Sequence, residues 1–429
     1  MERFELTMGQ KVLLTSYHEE DFCVNLVFAL RIEGNLDKDK FKQVLQKIIN
    51  DNDAFRFKFY KDKQTGLVYQ YADEQTEYTL DEREAKGNTY DEKYEDVKEQ
   101  VREILSSSQC FSDTLMWDFV LFDMGNDEHI FYVRMNHLIC DGVTIAAAIG
   151  YIVSLYNDIP MRKSLGFSDF IREQQAFEKT EQYMALREKY SPQLDEFKNY
   201  KRILQFPEKG RDYAIINYFT TIDCDKISGF CKENKLSFFH ASLFFYHAAI
   251  SAIYKRKDTL VTVPMGTRKS SYMNSIGYLL SICYSRMIFE DDMGMQDAAI
   301  KCRNNFFEST KTIPVFFEAF LNNNYAIEFA LTYQNQAGNF DKKIFLGEAE
   351  VKSITDPDFI GNTQKVIMDA VTVSVMEVKD KIIYAVRAGM DIYSNEMRDK
   401  TAKAFELAAE CLSGKDMTFG EFCRALDSM

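Results

Sequence analysis

Between Glu128 and Tyr156 the hydrophobic pattern changes period within a few residues, and no other feature of the sequence constrains the fold as much. The run "EHIFYVRMNH" is rich in β-branched and aromatic residues. An alternation of two puts Phe131, Val133, Met135 and His137 on one face of a strand, and Ile130, Tyr132, Arg134 and Asn136 on the other. From Val143 the run "VTIAAAIGYIVSLY" reads as a buried helix, and Gly142 ends the turn between the two. A strand that runs through a tight turn into a buried helix holds the residues of that turn on a rigid scaffold, a common setting for chemistry. His137 is in that connection, with Asp141 four positions on.

Strand and helix patterns alternate along the rest of the 429 residues, a length that exceeds one ordinary core and predicts two domains. "VNLVFALRIEG" is a strand stopped by Gly34-Asn35, and from Asp37 the residues Phe41, Val44, Leu45, Ile48 and Ile49 share one helical face. "DAFRFKFY" and "GLVYQYA" are strands. The acidic stretch Asp81 to Ser108 is surface cover, with Val97, Val101, Ile104 and Leu105 at helical spacing. "LMWDFVLFD" and "EHIFYVRMNH" flank Gly125-Asn126-Asp127, a hairpin signal. A charged helical stretch from Phe167 to about Tyr200 links this half to a second one of the same mixed kind. There "AIINYFTTI", "DTLVTVPMGTR", "AIEFALTYQN", "AVTVSVMEV" and "KIIYAVRAG" read as strands, and "FFHASLFFYHAAISAIYKR" as a long apolar helix. The expected domains are residues 1–165 and 166–429, both α/β.

Charge and cysteine usage exclude several functions. A net charge of −14 argues against binding a phosphate backbone, and the short clusters Lys255-Arg256-Lys257 and Arg268-Lys269 read as solvated surface. The nine cysteines form no CxxC pair and several lie in apolar runs, which indicates reduced, buried thiols and a cytoplasmic location. The N-terminal residues lack the order of a signal peptide, and no apolar run is long enough to cross a membrane. His18, His129, His240 and His247 have no metal-ligand spacing with any carboxylate, and no glycine-rich phosphate loop is present, so neither metal nor ATP is implied. From the residues alone His137 has two readings: a core histidine on the apolar face of a strand, or a proton acceptor steadied by Asp141.

"NHLICDG" resembles the HHxxxDG signature of the chloramphenicol acetyltransferase-like superfamily, and most closely that of nonribosomal peptide synthetase condensation domains. Further matches follow in the family's order. "LTMGQKVLL" is similar to its opening motif, and "NDAFRFKF" to RHxxLRTxF with Arg56 on the second arginine. "DTLVTVPMGTR", "SIGYLLSICYSRM" and "EFALTYQNQ" resemble its later motifs. The resemblance spans nearly the whole chain. It implies two acetyltransferase-like lobes in a V-shaped pseudo-dimer, with a central tunnel that holds His137.

The activity implied is that of an acyltransferase. Donor and acceptor carrier proteins present substrates as phosphopantetheine thioesters, and an acceptor amine attacks the donor thioester to form an amide. His137 matches the catalytic histidine, which either removes the amine's proton or positions the amine. Asp141 matches a structural aspartate expected to pair with Arg56. Gly142 matches the glycine that lets substrate and an oxyanion-stabilising N–H come close. Arg268 and Ser281 match tunnel-side positions. The first histidine of the signature is Asn136 here, and strand alternation turns it away from His137, towards a role in holding the loop. Cys140 invites a Cys–His nucleophile, but the family has small residues there and a packed thiol is the expectation. Because the chain ends near the end of the family fold, a free-standing, monomeric enzyme is expected, one that binds no cofactor itself and takes both carriers in trans. Two alternatives stay open: an O- or N-acyltransferase that uses coenzyme A, and a non-catalytic platform that docks carrier proteins.

Overall fold

The computed structural model describes residues 2–15, 25–107, 114–204, 215–323, 328–335, 343–354, 356, 359, 370–389 and 392–429. The chain forms two compact units. The first comprises residues 1–184, 266–280 and 342–367, and the second residues 185–265, 281–341 and 368–429. The expected cut after residue 165 is therefore corrected, because the first unit takes back two segments from the second half of the chain.

The strands are β1 (Arg3–Glu5), β2 (Asn25–Glu33), β3 (Phe57–Lys61), β4 (Val68–Ala72), β5 (Asp81–Glu84), β6 (Trp117–Gly125) and β7 (Glu128–Asn136), followed by β8 (Ile215–Asp223), β9 (Asp258–Gly266), β10 (Leu280–Ile288), β11 (Phe329–Asn335), β12 (Ile344–Leu346), β13 (Ala349–Ser353), β14 (Val371–Val378) and β15 (Lys381–Ala388). In the first unit a six-stranded sheet runs β12-β13-β2-β7-β6-β5, beside a small sheet β1-β4-β3. The hairpin of β6 and β7 turns at Gly125, Asn126 and Asp127, all with positive φ, the turn chemistry its residues announce. β7 lies in the interior of the sheet, antiparallel to both β2 and β6.

Helix Lys38–Asp51 buries the five residues that its periodicity selects, Phe41, Val44, Leu45, Ile48 and Ile49, and Asp37 caps it by accepting the N–H of Lys40. The stretch expected as surface cover contains the helix Tyr90–Ser106, which starts in a capping box of Thr89 and Glu92 and buries Val97, Val101 and Ile104. The charged segment after residue 166 is helical as expected, over Phe167–Phe177 and Glu181–Asp195. The carboxylate of Asp53 accepts the N–H groups of Phe167 and Ser168 at 2.8 Å each and so caps the first of these helices.

In the second unit the sheet runs β10-β9-β11-β14-β15-β8, with β11 parallel to β9 and β14. Val261, Val263, Leu331, Val371, Val373, Val375, Tyr384 and Val386 point to one side, into a core shared with the helices Phe238–Tyr254 and Asn395–Leu412. Among the described residues no single helix is long and apolar enough to cross a membrane. One pair, Cys224–Glu233 with Phe238–Tyr254, passes on composition but bends by 103°.

Candidate active site

β7 ends at Asn136, and His137–Ile139 form a single 3₁₀ turn before the helix Gly142–Tyr156 begins. The alternation along the strand therefore stops one residue short of His137, which corrects the expectation that His137 continues the face of Phe131, Val133 and Met135. Those three do face the core of the first unit. Leu138, Ile139 and Cys140 are completely buried in the same core and anchor the turn, whereas His137 stays partly exposed. Asn136 is buried. Its Oδ1 accepts the N–H of Leu138 at 2.9 Å, so the residue that departs from the family signature braces the turn through the backbone, the role expected for it.

The imidazole has a fixed orientation. His137 Nδ1 lies 2.7 Å from the carbonyl oxygen of Cys140, and a carbonyl only accepts, so Nδ1 carries the proton and Nε2 presents its lone pair. Tyr278 packs edge-on against the ring, with centroids 5.5 Å apart and planes at 75°. Burial pushes the His137 pKa below its ordinary value, while the Cys140 carbonyl and the Asp141 carboxylate pull the other way. A neutral ring with one free nitrogen is thereby favoured at neutral pH. It can accept a hydrogen bond, or a proton, from an amine or a hydroxyl.

Asp141 is completely buried and caps the helix that follows. Its Oδ1 accepts the N–H of Thr144 at 3.0 Å, and its backbone N–H donates to the Thr144 hydroxyl in return, a capping box. The other oxygen, Oδ2, accepts from Arg268 Nη1 at 2.5 Å and from the N–H of Leu279 at 3.0 Å. The expected pairing with Arg56 is thus corrected: the partner of Asp141 is Arg268. Arg56 donates instead to the carbonyl oxygens of Asp73, Ile49 and Asn50. The Thr144 hydroxyl also donates to the carbonyl of Gly277 at 2.9 Å, so Asp141 and Thr144 together clamp the segment 266–280 to the His137 turn.

Gly142 opens the helix and is exposed, and a Cβ built on it would meet nothing within 4 Å. Its N–H belongs to the first turn, which has no intrahelical partner. Gln10 was not singled out in the sequence, though it lies in the opening motif. Completely buried, it donates to the carbonyl of Leu138 at 2.9 Å and exchanges hydrogen bonds with Gln70. The Cys140 thiol is buried, points at the carbonyl of Asn136 and has its pKa pushed well up by desolvation, as a packed and unreactive thiol should. Ser281 is buried in β10, within the second unit. His129, His240 and His247 belong to other places, and His18 lies outside the described residues. Among the described residues no cluster could hold a metal ion.

A family model described as "Condensation domain" matches residues 4–293. Surfactin synthase subunit 2 of Bacillus subtilis (strain 168) is 24% identical over 199 residues, which cover 46% of this chain and 5% of that protein, so the chain spans about one-twentieth of this relative's length. Solved structures match this chain nearly end to end. The X-domain from teicoplanin biosynthesis, in its complex with OxyB, has a TM-score of 0.78 at 15% identity, covering 98% of this chain and 96% of that one. The first condensation domain of the calcium-dependent antibiotic synthetase, in complex with a substrate analogue, has a TM-score of 0.74 at 11% identity, covering 98% of each chain. These likenesses establish the chloramphenicol acetyltransferase-like α/β fold.

Proposed function

The chain belongs to the condensation-domain family, and from that premise we propose that it forms an amide bond between a carrier-bound acyl or aminoacyl thioester and an acceptor amine. The observation that supports this most directly is the His137 ring, whose proton is committed to the Cys140 carbonyl and whose Nε2 is left as an acceptor. In the proposed reaction Nε2 receives a proton from the amine as its nitrogen attacks the thioester carbonyl. The carbonyl oxygen gains the negative charge, and the N–H of Gly142 at the start of the helix is the donor nearest in sequence to stabilise it. Collapse of the intermediate breaks the C–S bond, and the proton on His137 passes to the departing pantetheine thiolate. Donor and acceptor carrier proteins are the proposed partners, in the cytoplasm. Asp141, Arg268 and Asn136 then serve by fixing the turn.

The deciding experiment incubates the protein with an acyl-carrier protein, or with the matching acyl-coenzyme A, together with amine and alcohol acceptors, and follows the acceptor by mass spectrometry. Amide product from the carrier-bound donor is expected, with turnover reduced about 10²- to 10⁴-fold in His137→Ala. Product from coenzyme A alone, or an ester, would assign the chain to the wider acyltransferase class. A second reading, a non-catalytic docking platform, draws on the likeness to an X-domain in complex with OxyB. Carrier binding without product, unchanged in His137→Ala, would favour it.

A further inference from the structure

The second unit's sheet has an unusual side opposite its apolar core. Alternation places Thr262 of β9, Ala330 and Thr332 of β11, Thr372 and Ser374 of β14, and Ala385 and Arg387 of β15 on that side, since their neighbours in sequence fill the core. Register brings Thr372 beside Ala330 and Arg387, and Ser374 beside Thr332 and Ala385. Every residue of this group but Arg387 is small, and Ser374 and Thr332 satisfy each other at 3.1 Å.

Arg387 and Thr372, which are direct cross-strand neighbours, do not. Arg387 Nε and Thr372 Oγ1 are both buried with no hydrogen-bond partner, and Thr372 is only 6% exposed. Among the described residues no carboxylate pairs with the guanidinium, and burial alone acts on its pKa, downwards. Three other arginines on strands or just beyond their ends are paired with carboxylates. Arg134 has Asp118 at 2.6 Å, Arg268 has Asp141 at 2.5 Å and Arg286 has Asp258 at 2.9 Å. A chain of net charge −14 has no shortage of acids. Among the described residues this partly buried cation has no counter-charge, and an anion that binds from solution would supply one.

We propose that Arg387 and Thr372 form a carboxylate-binding subsite on this face of the second unit. The planar guanidinium offers parallel N–H donors that match the two oxygens of a carboxylate, and the Thr372 hydroxyl supplies another donor beside them. The ligand class is a small organic acid, or an acyl group that ends in a free carboxylate. The subsite does not depend on the amide-forming reaction, and it is tested by binding rather than turnover.

The test titrates the full chain with sodium succinate, and separately with inorganic phosphate, by calorimetry and thermal shift, against sodium chloride at matched ionic strength. Succinate is expected to bind saturably, more tightly than phosphate, and to raise the melting temperature. Arg387→Gln should weaken succinate binding by about tenfold or more, the worth of a charge-assisted hydrogen bond, and Thr372→Val by a smaller factor. Without ligand, Arg387→Gln should melt no lower than the parent, since it removes an uncompensated cation, so lost binding cannot be put down to misfolding. Arg387→Lys, which keeps the charge but not the fork, should fall between parent and Arg387→Gln. Absence of saturable binding to the parent, equal binding by Arg387→Gln, or tighter binding of phosphate would each overturn the proposal. So would a clear drop in the ligand-free melting temperature of Arg387→Gln, because it would mean that the guanidinium already has a partner within the protein.

Discussion

Removal of Asp141 tests how the His137 turn is held. In Asp141→Ala the Arg268 guanidinium, whose side chain is 5% exposed, loses its counter-charge, and the N–H groups of Leu279 and Thr144 lose an acceptor. An uncompensated buried charge costs about 3–5 kcal/mol. Arg268→Ala leaves the carboxylate with its two backbone donors and should cost about 3 kcal/mol, at the lower end of that range. The double variant should be less destabilised than the sum of the two by about 2 kcal/mol, as befits residues in direct contact. The chain has a built-in reporter, because its single tryptophan, Trp117, is buried in the first unit and donates to the carbonyl of Phe55 at 2.7 Å. Urea unfolding followed by Trp117 fluorescence therefore reads the stability of the unit that contains the clamp. Arg56→Ala provides the control. Its three acceptors are carbonyl oxygens and none is a partner of Asp141, so it should add to Asp141→Ala within about 0.5 kcal/mol. Additivity between Asp141 and Arg268, or coupling between Asp141 and Arg56, would refute the assignment.

Three further outcomes follow from the geometry. Because burial lowers the His137 pKa and the reaction needs the neutral ring, turnover should be level at neutral pH and fall only as pH drops through a value below the ordinary 6.5, which a kcat/KM pH profile reads directly. His247 is completely buried between Thr259 and Ser285 with its pKa pushed down to about 3, so its folded value lies below the unfolded one. Its contribution to stability is whole above pH 6.5 and is lost towards pH 3 by about 1.4 kcal/mol per pH unit; a slope of stability on pH that is not reduced by one proton in His247→Gln would count against this. Asn136→Ala should cost about 1–3 kcal/mol through the lost bond to Leu138, and Asn136→His should keep single-turnover rates within about tenfold of the parent, readable by quenched-flow with a saturating carrier-bound donor.

Local chemistry was legible in the sequence wherever partners lie within a few residues of each other. The five apolar positions of helix Lys38–Asp51, the Gly125–Asp127 hairpin and the strand–turn–helix around His137 are all short-range patterns, and the structure realises them. The box formed by Asp141 and Thr144 starts the helix, and Thr144 was not singled out in the sequence. What could not be read is pairing over distance. β12 and β13 are runs of three and five residues with no usable periodicity, and β13 joins β2 across some three hundred positions, with Lys352 beside Arg31 and Glu350 beside Glu33. Nothing local advertises such a partner, and neither segment was anticipated.

The choice between Arg56 and Arg268 shows where more could have been inferred. Arg56 follows the end of helix Lys38–Asp51 by five residues, and the last carbonyls of a helix lack intrahelical donors and form the negative end of its dipole. A cation just beyond that end has acceptors at hand, and Arg56 takes two of them, Ile49 and Asn50. Arg268 has no helix end close before it in sequence; it lies two residues beyond β9, and helix Phe238–Tyr254 ends fourteen positions upstream. With Arg56 engaged by carbonyls nearby, the buried carboxylate of Asp141 needed its cation from elsewhere, and an arginine at the end of a strand is free to supply it. The family resemblance assigned Arg56 to Asp141, whereas accounting for the unsatisfied carbonyls would have favoured Arg268.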